Sequence, residues 1–214
     1  MASRSRILIA DDHNLVAELF QQLLADDFDV VGTVGDGRAM VRAAVELKPD
    51  LILIDIAMPV LNGLDAGRQV KKMLPKTRLV YLTLTADAEV AAEAFAFGAS
   101  GYLLKTCAAS EMKLAIHEVL RGHTYLSKAI PRDTIDLLRW EHKKLVNVDA
   151  RLSDRQREVL QLLAEGKLMK EIGVILHMSH RTVTYHKYQI RKRLGVSSDA
   201  ELVRYAIRNH IVAA

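Results

Sequence analysis

Cysteine is almost missing from this 214-residue chain: Cys107 stands alone. An internal disulfide is thereby excluded, as is any multi-thiolate metal site, and a reducing cytosol is the compartment that fits. Cys107 itself reads as a small, semi-buried residue. Long hydrophobic runs are lacking too. No stretch approaches the roughly 20 apolar residues of a membrane span, and the opening MASRSR leads straight into a strand-like run, so neither a spanning helix nor a signal peptide is expected. There is no internal repeat and no low-complexity tract, which excludes solenoids and compositionally disordered chains. What is present is ordinary globular material, 50% hydrophobic and 26% charged, enough for one large domain or two modest ones.

Charge separates the two halves. Residues 1–125 hold 13 Lys+Arg against 16 Asp+Glu, a net of −3, while residues 150–214 hold 12 against 6, a net of +6. With +1 from residues 126–149 these sum to the overall +4. An acidic front and a basic tail predict two domains, only the second suited to a polyanion.

Along the first 120 residues, short β-rich runs recur at Ile7–Ile9, Val30-Val31, Leu51–Ile54, Leu79–Leu82 and Tyr102–Leu104. Between them lie segments of helical spacing, such as Leu15, Leu19, Leu23 and Val41, Ala44, Val45. This alternation predicts βαβ units and a doubly wound, five-stranded parallel sheet. Strands that are apolar throughout, rather than alternating, fit burial on both faces. The rhythm stops after Arg121-Gly122. Ser127–Trp140 reads as a helical connector and Glu141–Ala150 as a polar, mobile stretch, so residues 123–150 form the linker. From Ser153 onward four short helices are predicted, with breaks at Gly166-Lys167, His177–Ser179 and Gly195–Ser197.

In open α/β sheets, chemistry gathers at the carboxyl ends of the strands. Asp11-Asp12 follow the first strand, Asp55 ends the third, Thr83 the fourth, and Lys105 follows the fifth. A lone Asp in such a place is usually a turn or cap residue. Three carboxylates in one crevice, however, repel one another unless a cation neutralises them, and oxygen donors without a His or Cys cluster favour a hard divalent ion, Mg2+.

Asp11-Asp12, the stretch DIAMPVLNG from Asp55 to Gly63, Thr83, and GASGYLLK ending at Lys105 resemble the receiver domain of bacterial two-component response regulators over residues 5–122. The resemblance implies a flavodoxin-like fold and a phosphoacceptor, Asp55, charged by a phosphohistidine on a sensor histidine kinase. It implies Mg2+ held by Asp12, Asp55 and the backbone carbonyl of Ala57, with Asp11 acting through water. Lys105 and Thr83 would stabilise the phosphoryl group, and Tyr102 would move in concert with Thr83. Ala17 stands where the family often has Arg, and Thr106 where it often has Pro after the lysine.

The tail carries a second pattern. No Asp or Glu occurs from Ile172 through Ser198, while Arg181, Lys187, Arg191, Lys192 and Arg193 cluster there. Starting a helix after Ser179 and advancing about 100° per residue, Val183, Ile190 and Leu194 fall within about 40° of one another as a buried stripe. Arg181, Tyr185, Tyr188 and Lys192 then share the opposite face, with Thr184 and Gln189 at its edges. A groove-reading face has reason to set tyrosines among cations, because phosphates attract the charge and base edges meet the rings and hydroxyls. KEIGVILHMS forms the helix and turn before it, completing a helix-turn-helix.

Residues 151–214 resemble the LuxR-type DNA-binding domain, and the whole chain resembles a response regulator of the NarL/FixJ type. By that resemblance Thr184, Tyr185 and Tyr188 approach bases, and Lys170, Arg181, Lys187, Arg191 and Lys192 approach phosphates of double-stranded operator DNA. Leu202, Val203, Ala206 and Ile207 in the last helix supply either a dimer contact or intradomain core. His186 is expected to pack rather than to bind metal. Gln156 and Gly173 replace the more usual Glu and Ala, and Gly173 should cost its helix up to about 1 kcal/mol.

The function expected is a phosphorylation-regulated transcription factor, cytoplasmic and bacterial. It would become a homodimer when phosphorylated, with RNA polymerase as a further partner and no catalysis beyond self-dephosphorylation. An Asp-nucleophile phosphohydrolase is the alternative, but it needs a second acid where this chain has Ala57. An RNA-binding output would call for a sheet or single-strand platform, and the tail offers neither.

Overall fold

The structure is a computed structural model and describes residues 4–130 and 152–212, which belong to two separately packed units. In the first unit the chain runs β1 (Arg6–Ala10), α1 (Asn14–Leu24), β2 (Asp29–Val34), α2 (Gly37–Leu47), β3 (Leu51–Asp55), α3 (Gly63–Met73), β4 (Arg78–Thr83), α4 (Ala88–Ala96), β5 (Gly101–Leu104), α5 (Ala109–Leu120) and β6 (Tyr125–Leu126). The sheet is parallel throughout, in the order β2-β1-β3-β4-β5-β6. The five predicted strands are all present.

The apolar run of β3 is explained by its position at the centre of this sheet. Leu51 to Ile54 are each 0% exposed, and they alternate between two cores. Ile52 and Ile54 join Met40, Leu64, Val70 and Tyr81 on one face, while Leu51 and Leu53 join Phe20, Leu24, Leu103 and Ile116 on the other. Each such side chain contributes about 1.5–3 kcal/mol on burial. A strand clad on both faces therefore has no polar position to spare until its end.

The expectations at the end of the first unit need correction. The sheet has a sixth strand, because Tyr125 and Leu126 pair with Gly101 and Tyr102 on the free edge of β5, and Leu126 and Ile130 close one core. The first unit thus continues beyond residue 122, into the predicted linker. Ser127–Ile130 form a turn instead of starting a helix, with the Ile130 N–H donating to the Ser127 carbonyl at 3.1 Å; the rest of the predicted connector lies outside the described residues. In α1 the stripe Leu15, Leu19 faces outward, at 80% and 60% exposure, and Ala17, Phe20 and Leu24 form the buried side. Both stripes have helical spacing, so periodicity alone does not choose between them. Val45 of α2 is exposed for the same reason, while Met40 and Ala44 face inward.

The second unit is α6 (Asp154–Ala164), α7 (Met169–Leu176), α8 (His180–Leu194) and α9 (Asp199–Arg208). Its boundaries follow the cap chemistry. Ser153 and Ser198 form reciprocal capping boxes with Gln156 and Glu201, Ser179 accepts from the Thr182 N–H, and Gly195 ends α8 at φ 68°. Val159, Leu160, Ile172, Leu176, Val183, Ile190, Leu202 and Ala206 make the core. Gly173 has a use that its helix propensity hides. A Cβ there would stand 2.7 Å from the Met178 carbonyl oxygen, so glycine lets the α7–α8 turn fold tightly onto α7. Gln156 accepts from Arg193 at 2.9 Å as well as from its own cap, fastening α6 to α8. Among the described residues no helix is long and apolar enough to cross a membrane.

Candidate functional site

The β1/β3 boundary is where the strand order reverses, and the first cluster lies at the carboxyl ends of these strands. Asp11 follows β1 and is buried; its N–H donates to the Val34 carbonyl at 3.0 Å, and its Oδ1 accepts from the His13 N–H at 3.0 Å. Asp55 closes β3, is 4% exposed, and accepts from the Ala57 N–H at 3.3 Å. Lys105 is fixed by its N–H to the Thr83 carbonyl, 2.7 Å, and reaches across the crevice. Its Nζ lies 2.7 Å from Asp11 Oδ2 and 2.9 Å from Asp55 Oδ2. Asp12 sits on the rim, and exposed Ala57, the predicted carbonyl ligand, lies two residues beyond Asp55.

The charges shape one another. Burial raises the Asp55 carboxyl above its ordinary range, Lys105 opposes that, and Asp11 adds to it. Burial likewise works against the Lys105 ammonium, but Asp11 and Asp55 together outweigh it and raise Lys105. Lys105 pairs with Asp11 and Asp55 while Asp12 stands beside them on the rim, so by formal charge three carboxylates face one ammonium. Oxygen donors and that charge fit a divalent cation. Atoms of Asp11, Asp12, His13 and Asp55 lie within 4.8 Å of one another. His13 escaped the sequence reading.

Thr83, at the end of β4, is nearly buried, and its Oγ1 accepts from the Thr85 N–H at 3.3 Å. Tyr102 pairs with Tyr81, two residue pairs back along the β4–β5 ladder, and is completely buried. Burial raises its phenol well above the ordinary range, and Thr83 partly offsets this. The turn after Asp55 is tightly made. Asn62 caps α3 by accepting from the Asp65 N–H, and a Cβ on Gly63 would collide with the Asp55 carbonyl oxygen. Val60 takes φ 69°, a strained value for a β-branched residue, of the kind that gathers at functional loops.

The second cluster is the outward face of α8. Arg181, Thr184, Tyr185, Tyr188 and Lys192 are all exposed, the tyrosines at 59% and 62%, while Val183 and Ile190 are fully buried. Lys170 is exposed on α7. The Thr184 hydroxyl donates to the His180 carbonyl at 2.9 Å. Lys187 and Arg191 are not displayed with the others: both turn to Asp199 at the start of α9, at 2.8 and 2.7 Å. These cations, Lys187 first, hold the Asp199 carboxyl below the usual range. His186 is partly buried, and burial first, then Arg155, lowers its pKa, in keeping with a packing role. Leu202 and Ala206 are core within this unit and unavailable as contact surface; Val203 and Ile207 are partly exposed.

Sequence comparison matches residues 7–117 to the response regulator receiver domain and residues 150–206 to the luxR family of bacterial regulatory proteins. The chain is 35% identical to the transcriptional regulatory protein LiaR of Bacillus subtilis (strain 168), covering 97% of this chain and 99% of LiaR. It is 34% identical to the oxygen regulatory protein NreC of Staphylococcus aureus (strain JH9), again covering 97% and 99%. A LuxR-family two-component response regulator from Aurantimonas sp. SI85-9A1 aligns with TM-score 0.57 at 28% identity, over 66% of this chain and 99% of that one. The response regulator RcsB in complex with DNA aligns with TM-score 0.56 at 25% identity, over 95% and 98%.

Proposed function

This chain belongs to the two-component response regulators that join a receiver to a LuxR-type DNA-binding domain, and we propose on that premise that Asp55 is the phosphoacceptor controlling the α8 surface. The observation that carries the proposal is the Lys105 ammonium set between the buried Asp11 and Asp55 carboxylates at the strand ends. An Asp55 oxygen attacks the phosphorus of a phosphohistidine on a sensor kinase; the P–N bond breaks as the O–P bond forms, and the imidazole leaves. Aspartate is a weak nucleophile, so the site must hold the phosphoryl group in line and neutralise its oxygens. Asp12, Asp55 and the Ala57 carbonyl would hold Mg2+, which supplies charge neutralisation and orientation when bound. Lys105 exchanges its carboxylate partners for phosphoryl oxygens, and the Thr83 hydroxyl donates to another.

Drawing Thr83 toward the phosphoryl group changes the packing next to Tyr102, a local charge event that biases a two-state element. The output is altered dimerisation and altered binding of double-stranded operator DNA. Tyr185, Tyr188 and Thr184 face the bases; Arg181, Lys192 and Lys170 face phosphates. That a solved relative is an RcsB–DNA complex supports the DNA assignment. The setting is the bacterial cytoplasm, with RNA polymerase as a further partner, and hydrolysis of the Asp55 acyl phosphate is the only catalysis. The test is intact and peptide mass spectrometry after incubation with a small phosphodonor and Mg2+. One phosphoryl group is expected on the peptide carrying Asp55 and none on Asp55→Asn; equal labelling of both would overturn the assignment.

A further inference from the structure

The amino ends of the strands, on the far side of the sheet from the carboxylate crevice, carry the opposite charge. A groove of about 840 Å3 crosses the ends of β1, β3 and β4, lined by Arg4, Arg6, Lys48, Lys76 and Arg78, with Asp50 as the one carboxylate among its described residues. Residues 1–125 hold 13 Lys+Arg and 16 Asp+Glu, so this groove gathers five of the cations and one of the acids. A surface that merely solvates its charges has no reason to sort them in this way within an acidic unit.

The chain holds these cations on fixed backbone. The Asp50 N–H donates to the Arg6 carbonyl and the Arg78 N–H to the Asp50 carbonyl, both at 2.9 Å, which stitches the three strand ends together. The buried Thr77 hydroxyl donates to the Pro49 carbonyl at 3.1 Å, and Lys71 Nζ donates to the Thr77 carbonyl at 2.7 Å. The loop bearing Lys76 is thereby tied to the loop bearing Lys48. Asp50 is committed to the backbone, since its Oδ2 accepts from the Arg6 N–H at 2.8 Å. Arg4, at one end, donates to the Ala25 carbonyl and acts on Asp27. Among the described residues no carboxylate pairs with the side chains of Arg6, Lys48, Lys76 or Arg78. Burial first, and then the Arg78 charge, lowers the Lys71 pKa, which agrees with positive charge being crowded here.

The spacing favours a polyanion over a single anion. Arg6 and Arg78 flank β3 from its two neighbours, so two strand spacings of about 4.8 Å separate them. Lys48 and Lys76 stand on the loops beside them. Such a row matches charges repeated along a backbone, as in double-stranded DNA, with one phosphate per about 3.4 Å of axis on each strand. Duplex is also the partner proposed for α8, and covalent linkage of the two units raises its effective concentration at the first. An acidic peptide lacks that tether and would lose its own chain entropy on ordering. We propose that this groove is a second, sequence-independent DNA contact, through which the first unit holds phosphates flanking the site read by α8. The proposal rests on the DNA-binding reading of the second unit.

The test is titration of the full chain, with Mg2+ and a phosphoryl analogue, on the selected site alone and on the same site extended by two helical turns at each end. Wild type should bind the longer duplex at least about tenfold more tightly at low salt, with a salt slope steeper by about 3, and the gain should fade as salt rises. The triple variant Lys48→Gln, Lys76→Gln, Arg78→Gln should bind both duplexes alike, its affinity for the short one changed by less than about twofold. Lys76→Gln alone, in an exposed loop, should remove about 1 of that slope, so the result does not depend on the triple variant folding. No gain from the flanks in wild type, or an equal gain in all three proteins, would overturn the groove assignment and leave the α8 reading standing. Poly-glutamate that binds wild type but not the triple variant, with no gain from the flanks, would give the groove to an acidic peptide instead. Failure of wild type to bind either duplex would overturn both readings.

Discussion

Asp55 and Lys105 set each other's charge at the strand ends. Burial raises the Asp55 carboxyl, and the Lys105 ammonium, 2.9 Å away, opposes that shift. Removing a single partner from such a pair strands a buried charge, a loss of about 3–5 kcal/mol where no relief exists. Here relief comes by protonation. With Lys105→Met, the Asp55 pKa rises further above its unfolded value, so the stability linked to that carboxyl is complete below the unfolded pKa, about 4, and is lost as pH climbs through the folded one. Chemical denaturation of wild type and variant should therefore show a deficit that is small near pH 4 and largest near pH 7. A deficit independent of pH would mean that Lys105 acts by packing alone. These residues were legible before the structure because chemistry at strand ends has few alternatives. His13 was not, since a single imidazole after two aspartates has no spacing to distinguish it from a surface histidine.

At the scale of elements, α8 divides its cations in a way that the charge run concealed. Arg181 and Lys192 stay on the outward face with Tyr185 and Tyr188, whereas Lys187 and Arg191 are drawn to Asp199. Periodicity placed Val183 and Ile190 in the core, and Ser179 capped the helix where expected. The acidic partner, though, comes from the next helix and could not be read from α8 alone. The proposed DNA-facing side of α8 would separate two roles. In binding titrations on several duplexes, Lys192→Ala should weaken all sequences alike and lower the salt slope by about 1, the signature of one lost phosphate contact. Tyr188→Ala should shift the ranking of sequences, at about 1–3 kcal/mol for the affected base pair. Identical effects of both variants on every duplex would contradict the division. Helix α1 shows the limit of periodicity from the other side: its apolar positions are too numerous, and only the tertiary packing of Ala17, Phe20 and Leu24 determines which face turns inward.

For the whole molecule, the acidic front and basic tail anticipated two units, and the alternating β and helical patterns anticipated the sheet order's carboxyl-end crevice. The sixth strand was missed because Tyr125-Leu126 is too short to register as a run; an existing edge on β5 stabilises it. Leu202 and Ala206 could not be assigned from sequence, because a dimer face and a domain core share the same spacing, and burial resolves them as core. The proposed link from an input at Asp55 to an output on α8 is tested most directly by a titration of duplex DNA with wild type and Asp55→Asn, each with and without Mg2+ and a phosphoryl analogue. Wild type should dimerise and bind its selected duplex more tightly when the analogue is present, and Asp55→Asn should not respond. An equal response from Asp55→Asn, or none from wild type that has taken up the analogue, would contradict it.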